Sequence, residues 1–268
     1  MVVSDDARES GTVYKAIKSI DGKFELESNR LSSLAQASSF IVATETLSRL
    51  QSAHIIIIVS SLSGAGYATT AYDNVFAPLM KILSIDATVH KTTSKTSHCQ
   101  FIESSPFSAN SENIIVIFGG DTMVYDVLNS LSKNSFLTSS HQLTLSLVPC
   151  GTGNALSTSL GITSIPVGIS RFFSISGTSE VKTPTLPVMK ISIQERDSER
   201  TIWSTVVCSW GLHASLVADS DTPEMRREYG PKRFEVYLQL TVLMAGCCTE
   251  TPKSGSSRLP WKCDDKWG

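Results

Sequence analysis

Three short runs in this sequence pair small residues with groups able to hold phosphate or move a proton. Gly119-Gly120-Asp121 follows the apolar stretch Asn113 to Phe118. Two glycines let the backbone approach a ligand closely, and amides in such a turn beside a helix N-terminus attract phosphate. An aspartate does not attract phosphate, so Asp121 suits a metal, a hydroxyl, a ribose or proton transfer. The same residue type also suits a helix cap. Gly151-Thr152-Gly153-Asn154 offers two glycines, a hydroxyl and a carboxamide where a helix should start. That is an oxyanion or phosphate cradle, or a strand-to-helix turn capped by Asn154. Ser63-Gly64-Ala65-Gly66 is a third, less specific loop of the same kind.

The elements around these loops repeat. Ile55 to Val59 is an unbroken β-branched run, as expected of a strand covered on both faces. It leads into the Ser63–Gly66 loop and a helix expected over 68–83. Ala87 to His90 reads as a strand and 96–103 as a helix. Asn113 to Phe118 is a second buried strand; it leads into Gly119-Gly120-Asp121 and a helix over 124–131. Leu143 to Val148 is a third, followed by Pro149-Cys150, the Gly151 loop and a helix over 155–160. Strand, small-residue loop and helix recurring three times predict α/β architecture with a mostly parallel sheet. Ligands in such sheets sit at the carboxyl ends of the strands, where all three loops fall. Val188 to Ile193 and Ile202 to Ser209, joined by a charged turn, predict an antiparallel hairpin. Residues 13–17 and 24–26 suggest short strands around Asp21-Gly22. The expected organisation is a segment over 1–50, an α/β domain over 51–175 and a β-rich part over 180–268.

Composition narrows the function. The chain has 268 residues, 41 % of them hydrophobic, enough to bury a sizeable core. Charged residues are 18 % and the net charge is −2, which argues against a dedicated nucleic-acid binder. The polar start, Met1 to Ser10, does not read as a secretory signal. No apolar run approaches the ~20 residues of a spanning helix. None of the six cysteines forms a C-x-x-C pair or has a histidine at metal-ligand spacing, which predicts reduced thiols in a cytosolic protein and no structural zinc site.

Taken together, the strand–loop–helix unit, the GGD loop and Pro149-Cys150-Gly151-Thr152-Gly153-Asn154-Ala155-Leu156 resemble the diacylglycerol kinase catalytic-domain family, which includes sphingosine and ceramide kinases. The resemblance runs over about residues 54–161 and more weakly to about 245. It implies a parallel-sheet, NAD kinase-like nucleotide-binding domain followed by an incomplete β-rich antiparallel sandwich. It also implies transfer of the ATP γ-phosphoryl group to the hydroxyl of a sphingoid base, ceramide or diacylglycerol, with Mg²⁺ bridging phosphates. Carried over by residue, Asp121 takes or orients the hydroxyl proton. Ser63, Gly64, Gly66, Gly119, Gly120, Thr122, Gly151, Thr152, Gly153 and Asn154 hold the nucleotide. Ser209-Trp210-Gly211-Leu212 is similar to the entry of the substrate region in this family. The stretch after it implies Asp219, Asp221 and Glu224 at the lipid head group and Arg227 and Arg233 on phosphate, where a planar guanidinium fork binds oxygens bidentately. Asp126 stands where relatives often have Glu, and His98 where they carry a helix-capping histidine. The lipid substrate implies transient contact with a membrane surface for a cytoplasmic protein.

The sequence also departs from the family. Relatives commonly read Gly-Gly-Asp-Gly-Thr, and Thr122 stands at the fourth position. If that position needs positive φ, a β-branched residue there costs about 1–3 kcal/mol. Ser60-Ser61 replace the usual Asn-Pro of the first loop, and the chain stops before further β-strands that the resemblance implies. These departures keep two alternatives in view: a catalytically inactive nucleotide- or lipid-binding member of the family, and an NAD kinase. The GTGN run favours the lipid-kinase branch, because NAD kinases share GGD but usually lack it.

Overall fold

The computed structural model describes residues 2–4, 11–18, 24–31, 44–61, 66–134, 143–174, 185–194, 198–206, 208 and 212–239. The chain divides into two compact units, Met1–Val207 and Cys208–Gly268.

The first unit is built on a four-stranded parallel sheet. Its strands are β4 (His54–Val59), β5 (Thr88–Lys91), β6 (Asn113–Gly119) and β7 (Leu143–Pro149), in the order β5-β4-β6-β7. The chain crosses from β4 outward to β5, then back over β4 to β6. This reversal puts a crevice at the carboxyl ends of β4 and β6. The β-branched runs behave as their composition dictates. Ile55, Ile57 and Val59 face one apolar cluster; Ile56 and Ile58 face another on the opposite side of the sheet. Each fully buried isoleucine contributes roughly 1.5–3 kcal/mol relative to exposure.

Helices cover both faces. One helical stretch runs from α2 (Tyr67–Ala71) through a π-helical turn (Tyr72–Phe76) into α3 (Ala77–Ile82). It follows α1 (Thr44–Ser52) and packs Val75, Phe76 and Leu79 into the first cluster. Phe76 meets Phe118, Phe172 and Phe173 at ring-centroid distances of 5.1, 5.0 and 5.3 Å. The last two come from α7 (Ile165–Ser174), which lies directly on β7. A Cβ at Gly168 would stand 2.6 Å from the Leu147 carbonyl oxygen, so only glycine lets α7 approach so closely.

On the opposite face, α4 (Ser97–Ser104) and α5 (Asp121–Lys133) pack side by side. Their contact is polar along one edge. His98 meets Asp126, Cys99 faces Ser130, and Lys133 donates to Glu103 at 2.6 Å. Burial raises the Cys99 thiol above its usual range, against a hydrogen bond to Ser130 that lowers it.

The hairpin expected after residue 180 is present, as β8 (Met189–Gln194) and β9 (Glu199–Ser204). Its second strand starts three residues earlier than Ile202 and ends at Ser204 rather than Ser209. Glu199 and Arg200 read as turn residues because they are charged. In an exposed two-stranded ribbon their side chains stay in water, so they fit a strand. The hairpin is tied to α5 through Asn129, whose Nδ2 donates to the Trp203 carbonyl at 2.9 Å and whose Oδ1 accepts from the Trp203 amide at 3.0 Å. The N-terminal strands β1 (Val2–Ser4), β2 (Gly11–Lys18) and β3 (Phe24–Leu31) form an antiparallel sheet, in line with the expected pair around Asp21-Gly22; that turn lies outside the described residues.

The second unit contains α8 (Leu212–Ser220), α9 (Pro223–Tyr229) and a further helical stretch over 233–239. Thr222 caps α9 by accepting from the Met225 amide at 3.3 Å, and proline occupies its first turn. Among the described residues no helix is long and apolar enough to cross a membrane.

Candidate active site

The GGD and GTGN loops lie side by side because β6 and β7 are neighbours and end in register, Gly119 opposite Pro149. The Cys150 amide donates to the Gly119 carbonyl at 2.9 Å, extending the ladder one residue past the strands. Beyond that point the two chains touch. A Cβ on Gly120 would lie 3.0 Å from the Gly151 Cα, and a Cβ on Gly151 would lie 2.6 Å from the Gly120 Cα. Neither position has room for a side chain.

Asp121 is the first residue of α5, yet its carboxylate reaches across to another helix. Oδ2 accepts from the Ala155 amide at 2.7 Å and Oδ1 from the Leu156 amide at 3.0 Å. These are the orphan donors at the start of α6 (Ala155–Ser159). Asp121 therefore caps α6, supplying a negative charge at that N-terminus. Gly153 lies beside it, with an added Cβ 3.8 Å from Asp121 Oδ2.

Asn154 closes the second loop on itself. It sits in the left-handed region at φ 49° and ψ 41°, which asparagine tolerates better than most residues. Its Oδ1 accepts from the Gly151 amide at 3.0 Å, and its Nδ2 donates to the Gly151 carbonyl at 2.7 Å. The alternative of a cap by Asn154 does not hold: its side chain makes no cap bond to α6, and Asp121 does that instead. The helix start expected to receive phosphate already holds a carboxylate on its Ala155 and Leu156 amides. The backbone amides of Thr152 and Gly153, both exposed, have no acceptor among the described residues.

Thr122 resolves differently from the expectation of strain. It is the second residue of α5, and the only non-glycine residues with positive φ among those described are Ser84 and Asn154. The fourth position of this loop asks for no left-handed backbone, so a β-branched residue carries no penalty there. Gly66 does need its freedom, at φ 77° just before α2. Ser63 and Gly64 lie outside the described residues. At the first loop, Ser60 is buried and donates its amide to the Phe118 carbonyl at 3.0 Å, while the Ser61 amide donates to Thr92 Oγ1 at 2.9 Å.

His98 is not a helix cap. It is the second residue of α4, is buried, and places Nε2 3.0 Å from Asp126 Oδ2. Asp126 is thereby fixed to α4, one and a half turns along α5 from Asp121. The role of Asn129 had no signature in the sequence either, because its partner is a backbone 74 positions away.

In the second unit, Asp221 receives two arginines. Arg226 binds it bidentately, and Arg233 donates Nε to Oδ1 at 2.9 Å. Burial alone would raise this carboxyl, but the hydrogen bonds from Arg226 and Arg233 outweigh it and hold the group below its usual range. Arg233 is buried and also donates to the Gly230 carbonyl at 2.9 Å. Asp219 accepts from the Tyr237 hydroxyl at 3.0 Å. Glu224 and Arg227 are exposed on α9. Two residues expected on opposite partners, Asp221 and Arg233, are thus paired with each other.

Residues 54–182 match the family model of the diacylglycerol kinase catalytic domain, and over that stretch the resemblance carried by the GGD and GTGN loops is shown. Two proteins of Arabidopsis thaliana are similar to the chain. Sphingoid long-chain bases kinase 1 is 25 % identical over 188 residues, covering 68 % of this chain and 22 % of its own length. Sphingosine kinase 1 is 23 % identical over 183 residues, covering 68 % and 36 %. The chain therefore spans well under half of either relative. A diacylglycerol kinase of Bacillus anthracis aligns over 52 % of this chain and 42 % of its own, at 20 % identity and a TM-score of 0.36.

Proposed function

We propose that this chain binds a nucleoside triphosphate at the joined ends of β6 and β7 and serves ATP-dependent phosphorylation of a lipid hydroxyl, on a sphingoid base, ceramide or diacylglycerol. The observation that carries the reading is the locked pair of loops: Gly120 packed on Gly151, Asp121 capping α6, and two exposed amides, Thr152 and Gly153, left to receive an anion. The family match and the two sphingoid-base kinases support the same substrate class.

The residues fit ATP with Mg²⁺ in chemistry. The glycine contact is the kind of backbone cradle that admits a polyphosphate, and the bound nucleotide would supply the transferable phosphoryl group. Thr152 and Gly153 present main-chain amides to phosphate oxygens, the side-chain-free Gly119, Gly120 and Gly151 let the polyphosphate approach the backbone, and Asn154 holds the loop in shape. Asp121 keeps a lone pair on each oxygen after accepting its two amides, enough to orient or accept a hydroxyl proton. Arg227 is exposed and has no ion-pair partner among the described residues; its guanidinium suits phosphate. The lipid reaches the site by transient contact with a membrane surface from the cytoplasmic side.

The structural tie on Asp121 also favours a second reading, a nucleotide-binding module that performs no transfer. One experiment separates the two. The full chain is melted with and without millimolar ATP·Mg, then assayed for phosphate transfer to sphingosine, ceramide and diacylglycerol in mixed micelles, and to NAD. We expect stabilisation by ATP, about 2.7 kcal/mol at a hundredfold excess over Kd, and transfer to a lipid. Stabilisation without transfer selects the binding module. No stabilisation defeats both, and transfer to NAD alone defeats the lipid assignment.

A further inference from the structure

The polar edge between α4 and α5 brings together three groups that the proposed phosphoryl transfer does not use. His98, Cys99 and Asp126 each offer one ligand atom, and these atoms all lie within 4.8 Å of one another. His98 Nε2 and Asp126 Oδ2 are already 3.0 Å apart. With metal–nitrogen and metal–oxygen bonds of ~2.0–2.1 Å and a metal–sulfur bond of ~2.3 Å, the edges of a tetrahedral site are about 3.4–3.6 Å. The nitrogen–oxygen edge is close to that length, and the two edges to sulfur, at most 4.8 Å, have to shorten when the ion binds.

We propose that His98, Cys99 and Asp126 form a site for a zinc-class divalent metal ion that staples α4 to α5.

Three observations carry this. The first is the ligand set. Thiolate, imidazole and carboxylate together suit zinc and its neighbours and exclude magnesium, which prefers oxygen. This site is therefore distinct in kind from any ion that travels with a nucleotide. The second is the state of the imidazole. His98 is 4 % exposed, and its Nδ1 is buried with no hydrogen-bond partner. Nδ1 is unpaired whichever nitrogen carries the proton. Exchanging the proton between Nε2 and Oδ2 for a metal therefore sacrifices no hydrogen bond at Nδ1. The third is the surroundings. Ser130, one turn beyond Asp126, faces the Cys99 sulfur, where its hydroxyl favours the thiolate and would serve as an outer partner. Cys99 and Asp126 are only partly buried, so the ion has an entry path and water can fill its fourth position. On binding, the ion takes the place of the hydrogen at Nε2, which a neutral imidazole then carries on Nδ1 as the other tautomer, and the thiol proton of Cys99 leaves to solvent.

The expectation of no structural zinc site rests on the spacing of cysteine and histidine along the chain. The third ligand here comes from another helix, 27 positions after Cys99, where spacing rules carry no signal.

The test uses the full chain, freed of metal by a chelator and titrated with Co²⁺, then with Zn²⁺ in competition. We expect one ion per chain, tetrahedral visible absorption, and a thiolate-to-cobalt charge-transfer band in the near ultraviolet. The band should survive when Cys150, Cys208, Cys247, Cys248 and Cys263 are all changed to Ser. It should vanish on Cys99→Ser. Asp126→Asn, which can still hydrogen-bond His98, should weaken binding at least tenfold with unchanged circular dichroism. If the five-serine chain fails to fold, single Cys99→Ser in the wild-type background gives the same comparison. A band that persists in Cys99→Ser, no band in a folded five-serine chain, or binding weaker than ~100 µM, the range of adventitious ions, would overturn the site.

Discussion

Asp121 gives each of its oxygens to a backbone amide of α6, so replacing it moves more than a charge. Asn retains one acceptor oxygen but turns an NH₂ toward a donor that needs an acceptor. Loss of one charge-assisted bond should cost about 1.5–3 kcal/mol. We expect Asp121→Asn to lower the unfolding free energy from urea titration by that amount, with a matching fall in the midpoint, and to weaken ATP binding, since the Thr152-Gly153 amides hang from the helix it caps. An unchanged midpoint would show that the cap contributes nothing. Cys150 offers a simpler case. Burial pushes its thiol up to about 12, so little thiolate exists at neutral pH. Iodoacetamide at pH 8 should label the exposed Cys208 and spare Cys150 until the chain unfolds. Much at this scale was legible: glycine pairs after β-branched runs mark the loops in which β6 and β7 end. The partner of Asp121 was not. A carboxylate bonded 34 residues away leaves no local pattern, and the cap calls for the same residue type as the proposed proton acceptor.

α5 is the element on which most of the polar chemistry converges. It begins with Asp121, meets His98 through Asp126, and holds the β8–β9 hairpin through Asn129. Asn129→Ala removes both neutral bonds to the hairpin, worth about 1 kcal/mol each, and leaves the Trp203 amide without its acceptor. Hydrogen exchange at Trp203 should accelerate, with β6 and β7 unaffected; unaltered exchange would place the hairpin's anchorage elsewhere. The parallel strands were readable because burial on both faces forces unbroken Ile and Val runs. The hairpin was read less well, since its exposed charges look like turn residues until strand pairing sets the register.

For the whole molecule, the two units are held by different forces. The first has an apolar core on each face of its sheet. In the second, Asp221 gathers Arg226 and Arg233. Because the folded carboxyl lies below its ordinary value of 3.8, its stabilising contribution is full above that pH. It is lost as pH falls through the lower folded value. Melting wild type and Asp221→Asn against pH should therefore give a gap that is constant near neutrality and closes in acid below 3.8; a gap independent of pH would refute the linkage. The acidic-then-basic pattern of this segment was plain in the sequence, but spacing alone did not reveal that Asp221 and Arg233 satisfy each other.

Protein interiors usually drift by paired exchange, one residue growing as its neighbour shrinks. Where Gly120 meets Gly151, that route is closed, because both partners already stand at the smallest size an amino acid can have. Any enlargement on either side has to be absorbed by separating two adjacent strand ends. The junction is a steric floor, and the spacing between these two main chains is inherited by whatever settles against them.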